Sequence, residues 1–150
     1  MNMSTLSPLP AVAELEFITD QPIDISKILH NAHQPGAGAI VLFCGEVRDN
    51  NIGRLVKHLV YESYTSLAEK VIKDIVETAI QKWDLQFASA LHRIGKLEIS
   101  DCAVAVVTAH THRGEAYESN RYIIDRIKHE APIWKCEYYQ DGTHEWGKNC

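Results

Sequence analysis

Hydrophobic positions in this chain fall into two long helical stripes set among runs of strand-like character. Leu67, Val71, Ile75, Ala79 and Trp83 recur every fourth residue, with Ile72, Val76 and Ile80 widening the stripe, which predicts a helix over 65–83. A second amphipathic helix is predicted from about Arg113 to His129, with Ala116, Tyr117, Asn120, Ile123, Ile124 and Ile127 on its inner side. A shorter one is predicted over Asp24 to Ala32, where Ile25, Ile28, Leu29 and Ala32 follow an aspartate cap and Pro35-Gly36 ends the run.

Strand signals occupy most of the remainder. "ELEFIT" opens them, and "AGAIVLFCGEV" reads as a buried strand. The polar "RDNNIG" then leads into "LVKHLVYES", and this pair reads as a hairpin with a long loop. "FASALHRIG" and "CAVAVVTAH" are two further strands joined by "KLEISD". "IWKCEYY", a turn at Asp141-Gly142 and a short strand at "HEW" complete the set. Strands outnumber helices and arrive in adjacent groups, so the expected class is α+β, a single domain with a largely antiparallel sheet and two long amphipathic helices. Residues 1–12, with Pro8 and Pro10, read as a flexible N-terminal arm, and 13–150 as the one domain.

One corner in this pattern carries chemistry. In "RIKHEAPIWKCEYY", Lys128 and Lys135 are separated by Pro132, which removes a backbone donor and disfavours helix at Ala131. The helix must stop between the lysines and a strand must begin, so a tight return would aim both amines at one point.

Composition narrows the function. The 150 residues are 45% hydrophobic and 23% charged, with net charge -5, which argues against a protein whose main partner is a nucleic-acid backbone. "MNMSTLSPLP" has neither a basic nor an apolar leader region, and a cytosolic setting with reduced thiols at Cys44, Cys102, Cys136 and Cys150 is expected. Cys44 and Cys102, inside apolar runs, read as small core residues; Cys136 as a nucleophile would need a base such as His129 or His144.

Basic groups cluster at element ends. Arg48 follows the strand "AIVLFCGEV", His112 and Arg113 open the second long helix, and the two lysines flank its far end. Helix N-termini bind anions, so "THRG" is a candidate cradle for phosphate or carboxylate. Arginine suits holding such a group, lysine suits reacting with it. The plainer reading is that Lys128 complements the helix dipole and Arg113 is solvated. "HTH" at His110–His112 offers two imidazoles but no third ligand, so no metal is expected.

"GAIVLFCGEVRDNNIG", "VYESYTSLAEK", "LHRIGKLEISD", "HRGEA" and "RIKHEAPIWK" together resemble, in order and spacing, the large catalytic subunit of molybdopterin synthase, over about residues 36–137. The resemblance implies an α/β-hammerhead-like fold and a cytoplasmic sulfurtransferase that needs no cofactor of its own. It implies sulfur transfer from a thiocarboxylate on the C-terminal Gly-Gly of a small ubiquitin-like subunit to cyclic pyranopterin monophosphate. The implied assembly is a heterotetramer around a central homodimer of large subunits. Lys128 and Lys135 would be catalytic, and Arg48, His112, Arg113, Phe43 and Glu137 would bind substrate. Lys128 is assigned the general acid/base role and Lys135 the stabilisation of negative charge, an assignment that could be exchanged.

Three departures from the family's pattern stand out. His110-Thr111 replaces a frequent Ser-Ala, Glu46 replaces a lysine found in some relatives, and "GKNC" replaces a longer basic tail for which Lys148 is the candidate substitute. The expectation from another class is a non-catalytic, dimeric anion-binding scaffold.

Overall fold

The computed structural model describes residues 15–149; the predicted arm at 1–12 lies outside them. Twelve elements follow in order: β1 (Ile18–Thr19), α1 (Ile25–Ala32), β2 (Ala39–Glu46), β3 (Asn50–Asn51), β4 (Arg54–Ser63), α2 (Thr65–Trp83), β5 (Phe87–Arg93), β6 (Gly95–Glu98), β7 (Cys102–His110), α3 (Arg113–Glu130), β8 (Ile133–Tyr139) and β9 (His144–Lys148). The class is α+β, as expected, but the strands divide between two sheets. One has the order β1-β5-β7-β2; the other runs β3-β4-β8-β9, with β6 also paired to β4. All pairings are antiparallel except β1 with β5.

The expected hairpin between "AGAIVLFCGEV" and "LVKHLVYES" does not form. β2 pairs with β7, from Ala39 opposite His110 to Glu46 opposite Cys102, while β4 pairs with β6 and β8 in the other sheet. The chain leaves the first sheet after β2, and the hairpin in this region is the tight β3–β4 turn at Ile52-Gly53, both with positive φ. "KLEISD" likewise proves to be more than a connector, since β6 crosses to the second sheet and lies against β4.

The continuous apolar run of β7 reflects a strand covered on both faces. Val104 and Val106 face the main core with Ala68, Ile72 and Val76 of α2 and Ile123 and Ile127 of α3. Val107 and Ala109 face a smaller cluster closed by Ile28 and Ala32 of α1. α3 is bolted to the first sheet by buried polar groups: Asn120 Nδ2 donates to the carbonyls of Val41 and Val106, each at 3.0 Å, and Thr108 Oγ1 donates to Ala116 O at 2.7 Å. Tyr117, expected on the inner side, is 63% exposed; the buried face instead runs through Ala116, Ser119, Asn120, Ile123, Ile124 and Ile127. Gly38 lets the start of β2 pass the entry to α3, because a Cβ there would lie 2.6 Å from Thr111 O. No helix among the described residues is long and apolar enough to cross a membrane.

Candidate functional site at the end of the second long helix

α3 ends at Glu130, Ala131 caps it in extended geometry, and β8 starts at Ile133, so the predicted corner exists. Its position is set by pairing: Tyr64 N donates to Pro132 O, and β8 then runs beside β4 with Lys135 opposite Tyr61 and Glu137 opposite Leu59. Opposed residues share a face, so Lys135, Glu137, Tyr61 and Leu59 all point the same way. That face, the last turn of α3 and the segment after β2 enclose a cleft of about 160 Å³, lined by Arg48, Lys128 and Lys135 together with Glu46, Asn51 and Glu137 among others.

The three predicted basic groups Arg48, Lys128 and Lys135 thus converge. Lys135 Nζ lies 3.5 Å from Glu137 Oε1, and Tyr139 Oη donates to Glu137 Oε2 at 3.1 Å, so this buried carboxylate is held from both sides. Lys128 Nζ donates to Asn149 Oδ1 at 2.8 Å. Tyr61 forms part of the floor; burial, reinforced by the nearby Glu137 charge, pushes its phenol up to about 12 and keeps it protonated. Three cationic side chains face two carboxylates here, leaving room for an anion.

The remaining predicted residues lie elsewhere. His112 and Arg113 are exposed at the N-terminus of α3, and Phe43 is partly exposed on β2; none lines the cleft. Lys148, the candidate substitute for a basic tail, donates to His129 O at 2.8 Å and caps the end of α3. The neighbouring Asn149 reaches Lys128. Sequence reasoning missed Asn149, Tyr61 and Asn51. Alternation in β4 carried a signal for Tyr61, whereas nothing local marks a C-terminal asparagine that folds back onto a helix.

The other candidate side chains are two histidines at the entry to α3, and cysteines on β2, β7 and β8. His110 Nδ1 accepts the backbone N–H of His112 at 2.9 Å, and no group of three metal-ligating side chains occurs among the described residues. Burial raises the Cys136 thiol, which disfavours the thiolate a nucleophile requires. Cys44 and Cys102 are half-buried rather than core residues, with Sγ atoms 2.8 Å apart where the β2–β7 register shifts at Gly45/Glu46. A larger hollow of about 730 Å³ between α1 and β5 contains none of the predicted site residues, and Lys27 is the one cation among its described lining. Arg48, Lys128 and Lys135 gather instead in the smaller cleft.

The chain has relatives among known proteins. Residues 18–130 match the family described as MoaE protein. The chain is similar to a molybdopterin synthase catalytic subunit of Halalkalibacterium halodurans, at 42% identity over 83% of this chain and 80% of the relative. It is similar to that of Staphylococcus carnosus at 41% identity over 89% and 87%. Among solved structures, molybdopterin synthase from Staphylococcus aureus superposes with a TM-score of 0.83 and 37% identity, over 88% of this chain and 96% of that one.

Proposed function

The chain belongs to the MoaE family of molybdopterin synthase catalytic subunits, and from that premise we propose that it transfers sulfur from a small partner subunit to a pterin phosphate. The donor is a thiocarboxylate at the C-terminus of a ubiquitin-like protein, the acceptor is cyclic pyranopterin monophosphate, and the product carries a dithiolene. The observation that carries this reading is the convergence of Arg48, Lys128 and Lys135 on one cleft. Donor and acceptor are both anions, so bringing them together requires fixed positive charge in a site that excludes water.

Roles follow from placement. Lys135, oriented by Glu137, sits on a paired strand and stabilises negative charge as it develops on the acyl group. Lys128, in the last helical turn, passes a proton to the departing oxygen. For each sulfur delivered, the thiocarboxylate sulfur bonds to a pterin side-chain carbon as a C–O bond there breaks, and water then cleaves the resulting thioester, its oxygen going to the acyl carbon and leaving a carboxylate on the small subunit's tail. Arg48 at the mouth holds phosphate or carboxylate through its planar fork.

A cleft of about 160 Å³ falls short of the roughly 300–1,000 Å³ typical of small-molecule sites. Fifteen residues of α3 separate Arg113 from Lys128, about 22 Å at 1.5 Å per residue, so a single pterin cannot touch both on one chain. The complete pocket is therefore composite, with His112 and Arg113 supplied by a second copy across a two-fold axis.

The test is to mix the chain with a thiocarboxylated small subunit and the cyclic pterin, then assay dithiolene. Product that vanishes in Lys128→Ala and Lys135→Ala is expected. Phosphate binding without any turnover in the wild-type chain would replace this reading with the anion-binding scaffold.

A further inference from the structure

Lys128 is the end of a chain of contacts that runs away from the cleft into the protein. Asn149 Oδ1 accepts from Lys128 Nζ at 2.8 Å, Asn149 Nδ2 meets His92 Nε2 at 2.8 Å, and His92 Nδ1 meets Arg93 O at 2.8 Å. His92 is 1% exposed and Asn149 2% exposed, so no solvent completes these bonds. Donor and acceptor roles have only one consistent solution. A carbonyl can only accept, so Nδ1 of His92 carries its proton; Nε2 is then a lone pair and must receive the amide N–H; the amide oxygen is thereby turned toward the ammonium.

We propose that Asn149 and His92 are positioning residues for Lys128, with a neutral, Nδ1-protonated His92 orienting the Asn149 amide so that its oxygen holds the lysine Nζ at the cleft. This rests on the catalytic assignment of Lys128 above.

A lysine side chain carries about 2 kcal/mol of rotamer entropy, and a lysine in a last helical turn ordinarily extends into water. An anchor is therefore needed to keep its nitrogen at the reacting centre. Glu137 lies beside Lys135 in this way, and the Asn149 amide oxygen, at 2.8 Å, gives the Lys128 ammonium a fixed, uncharged acceptor. The neutral state of His92 fits its surroundings: it lies between the two sheets, its ring meets Tyr61 edge-on with centroids 5.0 Å apart, and burial together with the Lys128 charge holds its pKa down to about 4. The backbone supports the same arrangement, since Asn149 N donates to Ile133 O and pins the tail beside the start of β8.

The test uses the full chain with its thiocarboxylated small subunit and the cyclic pterin. Asn149→Ala is expected to lower kcat about tenfold or more while KM for the pterin stays within about twofold, the signature of lost alignment. His92→Leu should do the same. His92→Gln, whose amide oxygen replaces Nε2 as acceptor, should recover most of the turnover lost in His92→Leu. Nitrogen NMR of the imidazole should show the proton on Nδ1 and not on Nε2 at neutral pH. Should His92→Leu fail to fold, Asn149→Ala and the NMR tautomer carry the test. Unchanged kcat in Asn149→Ala alongside lost turnover in Lys128→Ala would overturn the inference, as would a proton on Nε2. Full turnover in Lys128→Ala would instead remove the catalytic assignment itself, and this inference with it.

Discussion

Lys135 and Glu137 stand one step apart on the same face of β8, and their 3.5 Å pairing shapes what each substitution does. On the proposed mechanism Lys135→Ala removes a reacting charge, and it also takes the paired ammonium from a carboxylate that is 8% exposed, leaving the Tyr139 hydroxyl to hold it. Turnover should fall by a factor on the order of 10²–10⁴, and stability by about 1–3 kcal/mol, as for a buried group that loses its partner. The double variant Lys135→Ala/Glu137→Gln separates the two effects: urea unfolding should show most of the stability restored, while dithiolene formation stays absent. His92 makes a second prediction at this scale. Burial lowers its pKa from 6.5 to about 4, so the unfolded chain takes up its proton before the folded protein does. Its contribution is complete above pH 6.5, declines as pH falls through the window down to about 4, and amounts to on the order of 3 kcal/mol. Unfolding free energies measured at pH 7 and pH 5 should differ less in His92→Gln than in the wild type.

At the level of elements, the β3–β4 turn is built from a residue poorly suited to it. Ile52 has φ 49° and is 94% exposed, so a β-branched side chain occupies the left-handed region with no packing in return. Asparagine tolerates that geometry, and Asn-Gly favours this type of two-residue hairpin turn. Ile52→Asn should therefore raise stability by about 1 kcal/mol, read as a higher midpoint in thermal unfolding. The other notable element boundary, at Pro132, works in the opposite way: its residues suit their geometry, and the change from helix to strand is what brings Lys128 and Lys135 to one cleft.

For the molecule as a whole, the separation of Arg113 from Lys128 along α3 turns assembly into a kinetic question. A Lys128→Ala chain mixed with an Arg113→Ala chain forms heterodimers in which one pocket has both residues intact. Random exchange makes half the dimers mixed and leaves one good pocket of two in each, so activity should return to about a quarter of wild type. Confirmed subunit exchange with no recovery would place His112 and Arg113 outside the working site.

Periodicity in the sequence marked α1, α2, α3 and the break at Pro132, because each depends on contacts within a few residues: i to i+4 spacing, a proline ring, and for α1 an aspartate cap at Asp24. Charged groups at element ends are also visible locally, and they picked out Arg48, His112, Arg113, Lys128 and Lys135, of which Arg48, Lys128 and Lys135 line one cleft. Strand partnership was not legible in this way. Alternation says which face of β2 is apolar but not that β7, nearly 60 residues later, will pair with it in preference to β4. The same holds for Asn149 and His92, which meet only after β9 returns along β8 and β5 is laid beside β7. Local forces determine the elements; pairing energies summed over distant segments, which no short window of sequence contains, decide which of them meet.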